Sequence, residues 1–268
     1  MTATPMPPPR ASRRAAAPQR TRLPLRTELA VLLRLLAVQG TWNYETMIGN
    51  GIGFCIEPAL RLLPGGVHSP EFKAALARQS KYFNAHPYLA SVAVGSLARV
   101  ELDGEPPDRI ERFRTALAGP LGSVGDRLIW AGWLPLCSFL SLAVFGLGGG
   151  AAAVLLTFIG SYNAAHLTLR VWGLRTGWNH GMHVAHALAN PVLRRGPDVI
   201  APLAAFAAGL GAPLALMRII GPGRALLSLV IAGTGLGSLL IVRLQGRVEG
   251  WRLALGVLAA LVLFSVAR

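Results

Sequence analysis

Residues 118–130, AGPLGSVGDRLIW, place a carboxylate and a guanidinium, Asp126 and Arg127, at the mouth of an apolar run that begins at Leu128. Pro120 breaks or kinks a helix entering from the N-terminal side, and the glycines around it permit tight turns and close backbone approach. A charged pair behind such a break fits a discontinuous membrane helix that lines a cavity. The plainer alternative is a glycine-rich loop before an ordinary spanning helix. A second polar group lies at Trp42, Asn43, Tyr44 and Glu45, followed by glycines 49, 51 and 53. It reads as a re-entrant turn lined with hydrogen-bonding groups, or as an aromatic belt beside a loop. A third is Asn163, His166 and Arg170, spaced three and four apart and so sharing one helix face inside an apolar run. Ionisable groups within a span normally face a bundle interior or a wet cavity, although Arg170 has the alternative of snorkelling to the interface.

His180, His183 and His186 form HxxHxxH. Steps of three on a helix let neighbours share a face while the outer pair diverges, and no cysteine or carboxylate lies close in sequence to complete a zinc set. They read as a polar loop or juxtamembrane helix, and no metal or other cofactor is expected. There is no phosphate-binding P-loop and no nucleophile elbow. No water-soluble segment is large enough to be a catalytic domain, so no catalytic residue is assigned. What remains are broken helices with polar groups at the breaks, the profile of a transporter or transporter subunit. Amides and carboxylates pair with adjacent hydroxyls and aromatics stack on apolar ring faces, which suits a sugar or polyol.

The elements that must position these groups belong to a membrane. The 268 residues are 53% hydrophobic and only 14% charged, whereas globular domains carry about 25% charged residues. The net charge is +14, and all but Lys73 and Lys81 of the 26 basic residues are arginine. They sit in the N-terminal tail and in short loops, which fits anionic lipid and topology control better than nucleic acid. Cys55 and Cys137 lie in apolar surroundings and read as buried small residues. Residues 1–27 read as a disordered basic tail, and 28–38 as an interfacial helix about 16 Å long, half the hydrocarbon core. Residues 71–83 read as an amphipathic helix capped by Ser69, and 84–102 as an apolar stretch too short to span. The segment 103–113 must lie in water. From 128 onward, apolar runs at 128–149, 151–173, 198–220, 225–243 and 250–267 are each long enough to cross a bilayer. GTGLG at 233–237 supplies small-residue packing. The fold class expected is an all-α, polytopic integral membrane bundle, with re-entrant or broken helices in its N-terminal half and long spanning helices in its C-terminal half.

Four stretches in order, QGTWNYETM at 39–47 with Pro58 downstream, YFNAHPY at 82–88, AGPLGSVGDRLIW at 118–130, and NAAHLTLRVWG at 163–173 with GWNHG at 177–181, resemble the IID component of the mannose/fructose/sorbose phosphotransferase system. The resemblance runs over about residues 37–182. It divides the chain into a tail (1–27), a IID-like core (28–182) and C-terminal spanning helices (183–268). It implies a multi-pass protein of the bacterial cytoplasmic membrane that forms a sugar path with a IIC membrane subunit. Cytoplasmic IIA and IIB phosphocarriers would supply the phosphoryl group and a hexose-type sugar would be the cargo. The partners so implied are IIC, IIA/IIB, the sugar and the lipid bilayer, with no nucleic acid. By the same resemblance the positions facing sugar or a partner are Trp42, Asn43, Glu45, Asn84, Pro87, Gly119, Pro120, Gly125, Asp126, Trp130 and Asn163. Two departures stand out: Arg127 where the family has proline or a small residue, and Glu57 where it has an apolar one. They leave open a second reading, a non-transporting regulatory or binding protein on the same scaffold.

Overall fold

The computed structural model describes residues 22–220 together with positions 233 and 236. The tail through residue 21, the runs at 225–243 and 250–267, and all of GTGLG but Gly233 and Leu236 lie outside the described residues. Within them the chain is helical, with only isolated bridge pairs and no strand.

Two helix–break–helix units come first: α1 (Leu25–Leu35) with α2 (Gly49–Leu60), and α3 (Pro70–Gln79) with α4 (Ala90–Leu102). α1 buries Val31 and Leu35 and turns Leu25, Leu29, Leu33 and Leu36 outward, so its apolar residues occupy two opposed stripes. α3 starts where the sequence predicts, with the Ser69 hydroxyl accepting from Phe72 N at 3.1 Å and Pro70 at the first helical position. α4 is apolar all round and is sealed on every side: Val92, Ala93, Val94 and Leu97 are fully buried.

One helical run then extends from Pro107 to Gly146. It comprises α5 (Pro107–Gly125), a π-helical segment (Asp126–Trp133) and α6 (Leu134–Gly146). The break at Pro120 and the glycine-rich turn expected before residue 128 are therefore corrected. Pro120 sits inside α5 without ending it, because one lost N–H leaves the neighbouring ladder bonds intact. The discontinuity is a widened helical register over residues 126–133, the kind of bulge often found at functional sites. After a turn containing Gly148 (φ +100°), α7 (Ala151–His180) returns antiparallel, α8 (Ala185–Leu188) follows, and α9 (Pro191–Ile220) packs along α6. Among the described residues three helical segments are long and apolar enough to span: Pro107–Gly146, Ala151–His183 and Leu193–Ile219. The fold is an all-α, multi-pass membrane bundle.

Arginines close the helix ends. Arg114 on α5 donates to Tyr82 O (2.8 Å), Lys81 O (2.5 Å) and Gln79 O (3.2 Å), beyond and at the C-terminus of α3. Arg218 donates to Phe145 O and to Gly149 O, the latter at 2.8 Å, at the end of α6. A guanidinium offers five donors in a fixed fork, so one side chain satisfies several orphan carbonyls. Glu57 has an equally local account: it accepts from Arg34 at 2.8 Å and Arg61 at 2.5 Å, pinning α1 to α2.

The most buried ion pair among the described residues joins α3 to α4. Glu101, 6% exposed, accepts from Arg78 Nε at 2.9 Å, Arg78 Nη2 at 2.7 Å and Gln79 Nε2 at 2.7 Å. Glu101→Gln leaves the guanidinium without its counter-charge. Thermal unfolding of the purified protein is expected to register a loss of about 3 kcal/mol. An unchanged midpoint would mean that solvent reaches Arg78.

Candidate functional site

The two breaks cross each other. Ile48 N donates to Phe83 O and Phe83 N donates to Thr46 O, both at 3.1 Å, which joins QGTWNYETM to YFNAHPY. Asn43 folds the first break around itself. Its Oδ1 accepts from Glu45 N at 2.9 Å and Thr46 N at 2.8 Å, and its Nδ2 donates to Thr41 O at 3.1 Å and Thr46 Oγ1 at 2.9 Å. Met47 lies in the left-handed region (φ +52°), a strain of order 1 kcal/mol for a non-glycine residue. The bonds of Met47 N to Asn43 O (2.8 Å) and of the neighbouring residues to Phe83 hold it there. Asn43 is thus a turn organiser, whereas Trp42, Tyr44 and Glu45 are exposed at the tip, with Trp42 edge-on to Tyr44 at 4.8 Å.

The second break runs into the long helices. A side chain at Gly125 would overlap the His86 imidazole, so glycine is what lets the end of α5 touch the break. A Cβ added at Gly122 would stand 3.8 Å from Ala85 Cα and from Asn84 O. Trp130, on the π-helical segment, lies 4.9 Å from His86 and 6.0 Å from Tyr88. Tyr88 is the hub: His86 meets it edge-on at 5.0 Å, His166 stacks on it at 4.8 Å, and the Arg170 guanidinium lies 5.0 Å over its ring. Its hydroxyl is 2.6 Å from that of Tyr162. Arg170 is 4% exposed and donates to Leu35 O, at the last turn of α1. It caps a buried helix end and does not snorkel.

Of the candidate positions, the structure gathers Gly125 and Trp130 with the His86–Tyr88 corner that Pro87, buried, joins. Asn84 is exposed on the same break, and Asp126 is exposed one residue beyond Gly125. Gly119 and Pro120 are exposed on α5, and an added side chain at Gly119 would meet nothing within 4 Å. Arg127 is exposed and bonds back to Ser123 O at 3.3 Å; among the described residues no ion pair joins it to Asp126. Asn163 is half-buried and its Nδ2 donates to Ile159 O at 2.7 Å, so the face that meets the hub is Tyr162, His166 and Arg170. Sequence reasoning missed His86, Tyr88 and Tyr162. The i, i+4, i+8 spacing of Tyr162, His166 and Arg170 was the available signal. The three histidines at 180, 183 and 186 fall on α7, a 3₁₀ turn and α8, separated by Gly181 at φ +49°. Among the described residues no group of three His, Cys, Asp or Glu is placed to hold a metal.

His86 lies on the α3–α4 connection, outside the three long helices, and is 1% exposed. Tyr88 N donates to its Nδ1 at 3.2 Å, which leaves the proton of the neutral ring on Nε2. Burial, with the Arg170 charge adding to it, lowers its pKa from 6.5 to about 4. The unfolded chain takes up a proton near pH 6.5 that the folded chain refuses until about pH 4. The stability this site contributes is therefore complete above 6.5 and lost as pH falls toward 4, by at most about 3 kcal/mol. Unfolding in detergent between pH 7.5 and 4.5 is expected to show a steeper loss for the unaltered protein than for His86→Gln; parallel curves would show that His86 titrates normally.

Residues 23–212 match the family described as PTS system mannose/fructose/sorbose family IID component. The chain is 28% identical over 184 residues to the mannose-specific EIID component of Escherichia coli (strain K12), covering 67% of this chain and 64% of that relative. It therefore spans under two thirds of that relative's length. It is 29% identical over 197 residues to the fructose permease IID component of Bacillus subtilis (strain 168), covering 70% and 69%. Its fold is similar to a chain of the mannose transporter ManYZ solved in complex with microcin E492 (TM-score 0.54, 21% identity). It is also similar to a structure described as a membrane protein (TM-score 0.67, 22% identity). Each covers 92% of this chain and 98% of the solved one.

Proposed function

The chain belongs to the mannose/fructose/sorbose family of phosphotransferase-system IID components, and from that premise we propose that it is the IID subunit of a sugar permease in the bacterial cytoplasmic membrane. It pairs with a IIC membrane subunit to form the path for a hexose-type sugar. It performs no phosphoryl transfer itself; that step belongs to cytoplasmic IIA and IIB proteins. Residues 28–182 supply the path-forming core, and the segment Leu193–Ile219 adds a spanning helix beside it.

The observation that carries this reading is the crossing of the two helix breaks. In a bilayer, irregular backbone is tolerated where it is buried in protein or lines a cavity, and transporters place their sites at such breaks. The crossing presents Trp42, Glu45 and Asn84, with Asp126 and Trp130 alongside on the π-helical segment. Aromatic faces and carboxylate or amide acceptors are the groups that recognise a hydroxylated ring. The non-transporting alternative loses one of its motives, since Glu57 is accounted for by Arg34 and Arg61.

The test is uptake of labelled mannose, fructose and sorbose by cells carrying this chain with its IIC partner. Uptake is expected to vanish when either is deleted. It should fall about tenfold in Glu45→Gln or Asp126→Asn at unchanged membrane abundance, as for loss of one hydrogen bond to a charged group. Normal uptake without this chain would overturn the proposal.

A further inference from the structure

Where α1 begins and α7 ends, a cleft of about 280 Å³ is lined by Arg22, Glu28, Leu174, Arg175, Trp178 and Asn179. Arg22 is exposed and has no ion pair among the described residues. Arg175 is also exposed and donates to Glu28 at 2.6 Å, which leaves the rest of its fork available. Trp178 is 3% exposed with Arg99 over its ring at 5.5 Å. Its indole Nε1–H, a buried donor, has no acceptor among the described residues. The cleft thus combines two guanidiniums with one carboxylate, already occupied by Arg175. An oxyanion is the group that two such guanidiniums would hold together.

Its position says what carries that oxyanion. The 30 residues of α7 are about 45 Å long, enough to cross the hydrocarbon core and reach through the headgroup layer. Arg175, Trp178 and Asn179 occupy its last two turns, at headgroup depth. Beside the cleft α1 turns Leu25 and Leu29 outward, 67% and 51% exposed, which offers an acyl chain an apolar track below the charges. Upstream in sequence stand Arg10, Arg13, Arg14 and Arg20, with no acidic residue before Glu28. Charge of one sign gathered at a membrane surface attracts anionic lipid.

We propose that this cleft binds the phosphate of an anionic phospholipid, with Arg22 and Arg175 on the headgroup and Leu25 and Leu29 along the chain. The site is independent of what the protein transports. The test is native mass spectrometry of the full chain released from nanodiscs of mixed phosphatidylglycerol and phosphatidylcholine. Phosphatidylglycerol is expected to stay bound in preference to phosphatidylcholine. Its retention should drop about fivefold in Arg22→Gln and more than tenfold in Arg22→Gln/Arg175→Gln. Arg22 holds no structural contact, so its variant folds whatever becomes of the double one. Arg175→Lys, which keeps the charge, is expected to retain the lipid. Equal retention of both lipids, or of phosphatidylglycerol by all variants, would overturn the proposal. Stabilisation by inorganic phosphate without retained lipid would also overturn it, and would assign the cleft to free phosphate.

Discussion

Gly95→Val or Gly177→Val is expected to leave almost no folded protein in the membrane. α4 and α7 pack backbone to backbone, and each presents a glycine to the other's main chain. A Cβ at Gly95 would overlap Leu174 O and stand 2.8 Å from Trp178 N, and one at Gly177 would overlap Val92 O and stand 2.7 Å from Ser96 N. Neither obstacle is a side chain that can swing aside. The helices would have to separate by about 1 Å along their contact, opening the core that Leu97, Leu174 and Trp178 fill. Overpacking costs about 1–3 kcal/mol where side chains give way and more against backbone, from a total of about 5–15 kcal/mol. Gly160→Ala is the control. It sits mid-helix in α7 with open space around it, and removing a helical glycine there is neutral to stabilising by up to about 1 kcal/mol. Membrane abundance and elution in mild detergent provide the readout. A folded Gly177→Val protein would mean that α4 and α7 are not in contact in the membrane.

The second large effect is expected at Arg170. Arg170→Met removes the charged donor to Leu35 O, which keeps only its bond from Val38 N at 3.3 Å, and it removes the cation over Tyr88. The lost charge-assisted bond costs about 1.5–3 kcal/mol and the lost stacking about 1–2 kcal/mol more. Arg170→Lys retains the charge but cannot present a planar fork that serves a carbonyl and a ring at once. It should recover less than half of the loss in unfolding free energy. On the permease proposal, sugar uptake per folded molecule should fall in both, because Tyr88, His166 and Trp130 depend on the same corner. Lysine behaving like arginine would reduce the role of Arg170 to charge alone.

The site was partly legible because helical spacing survives folding. Asn163, His166 and Arg170 do lie on α7, and YFNAHPY does hold the corner. The choice between neighbours was not legible: Asn163 turns back to its own helix while Tyr162, one residue earlier, reaches Tyr88. Glycine roles were misjudged for the same reason. GPLGSVG suggested a turn, yet of Gly119, Gly122 and Gly125 only Gly125 sits against a side chain that excludes a Cβ. Gly173 and Gly177, four apart in VWGLRTGWNHG, form the small-residue seam of the α4–α7 contact. A missing Cβ has meaning only relative to what approaches it, and that belongs to another element.

By itself the sequence determined what composition and period control: a helical membrane protein, short broken helices before long ones, the Ser69 cap and the family motifs in order. These follow from apolar runs longer than a bilayer and from local side-chain to backbone bonds, neither of which needs a distant partner. Only the tertiary structure decided that Pro120 lies within an unbroken helix, that residues 126–133 widen into a π-helix, and that Thr46 and Phe83 join the two breaks. It also decided that Arg114, Arg170 and Arg218 close the ends of other helices. The joined breaks and the closed helix ends depend on which carbonyl or ring stands opposite, at separations of 35 to 135 residues for contacts such as Gln79 with Arg114 and Leu35 with Arg170. In a membrane no water competes for those groups, so the partner that folding brings near decides the role of each residue.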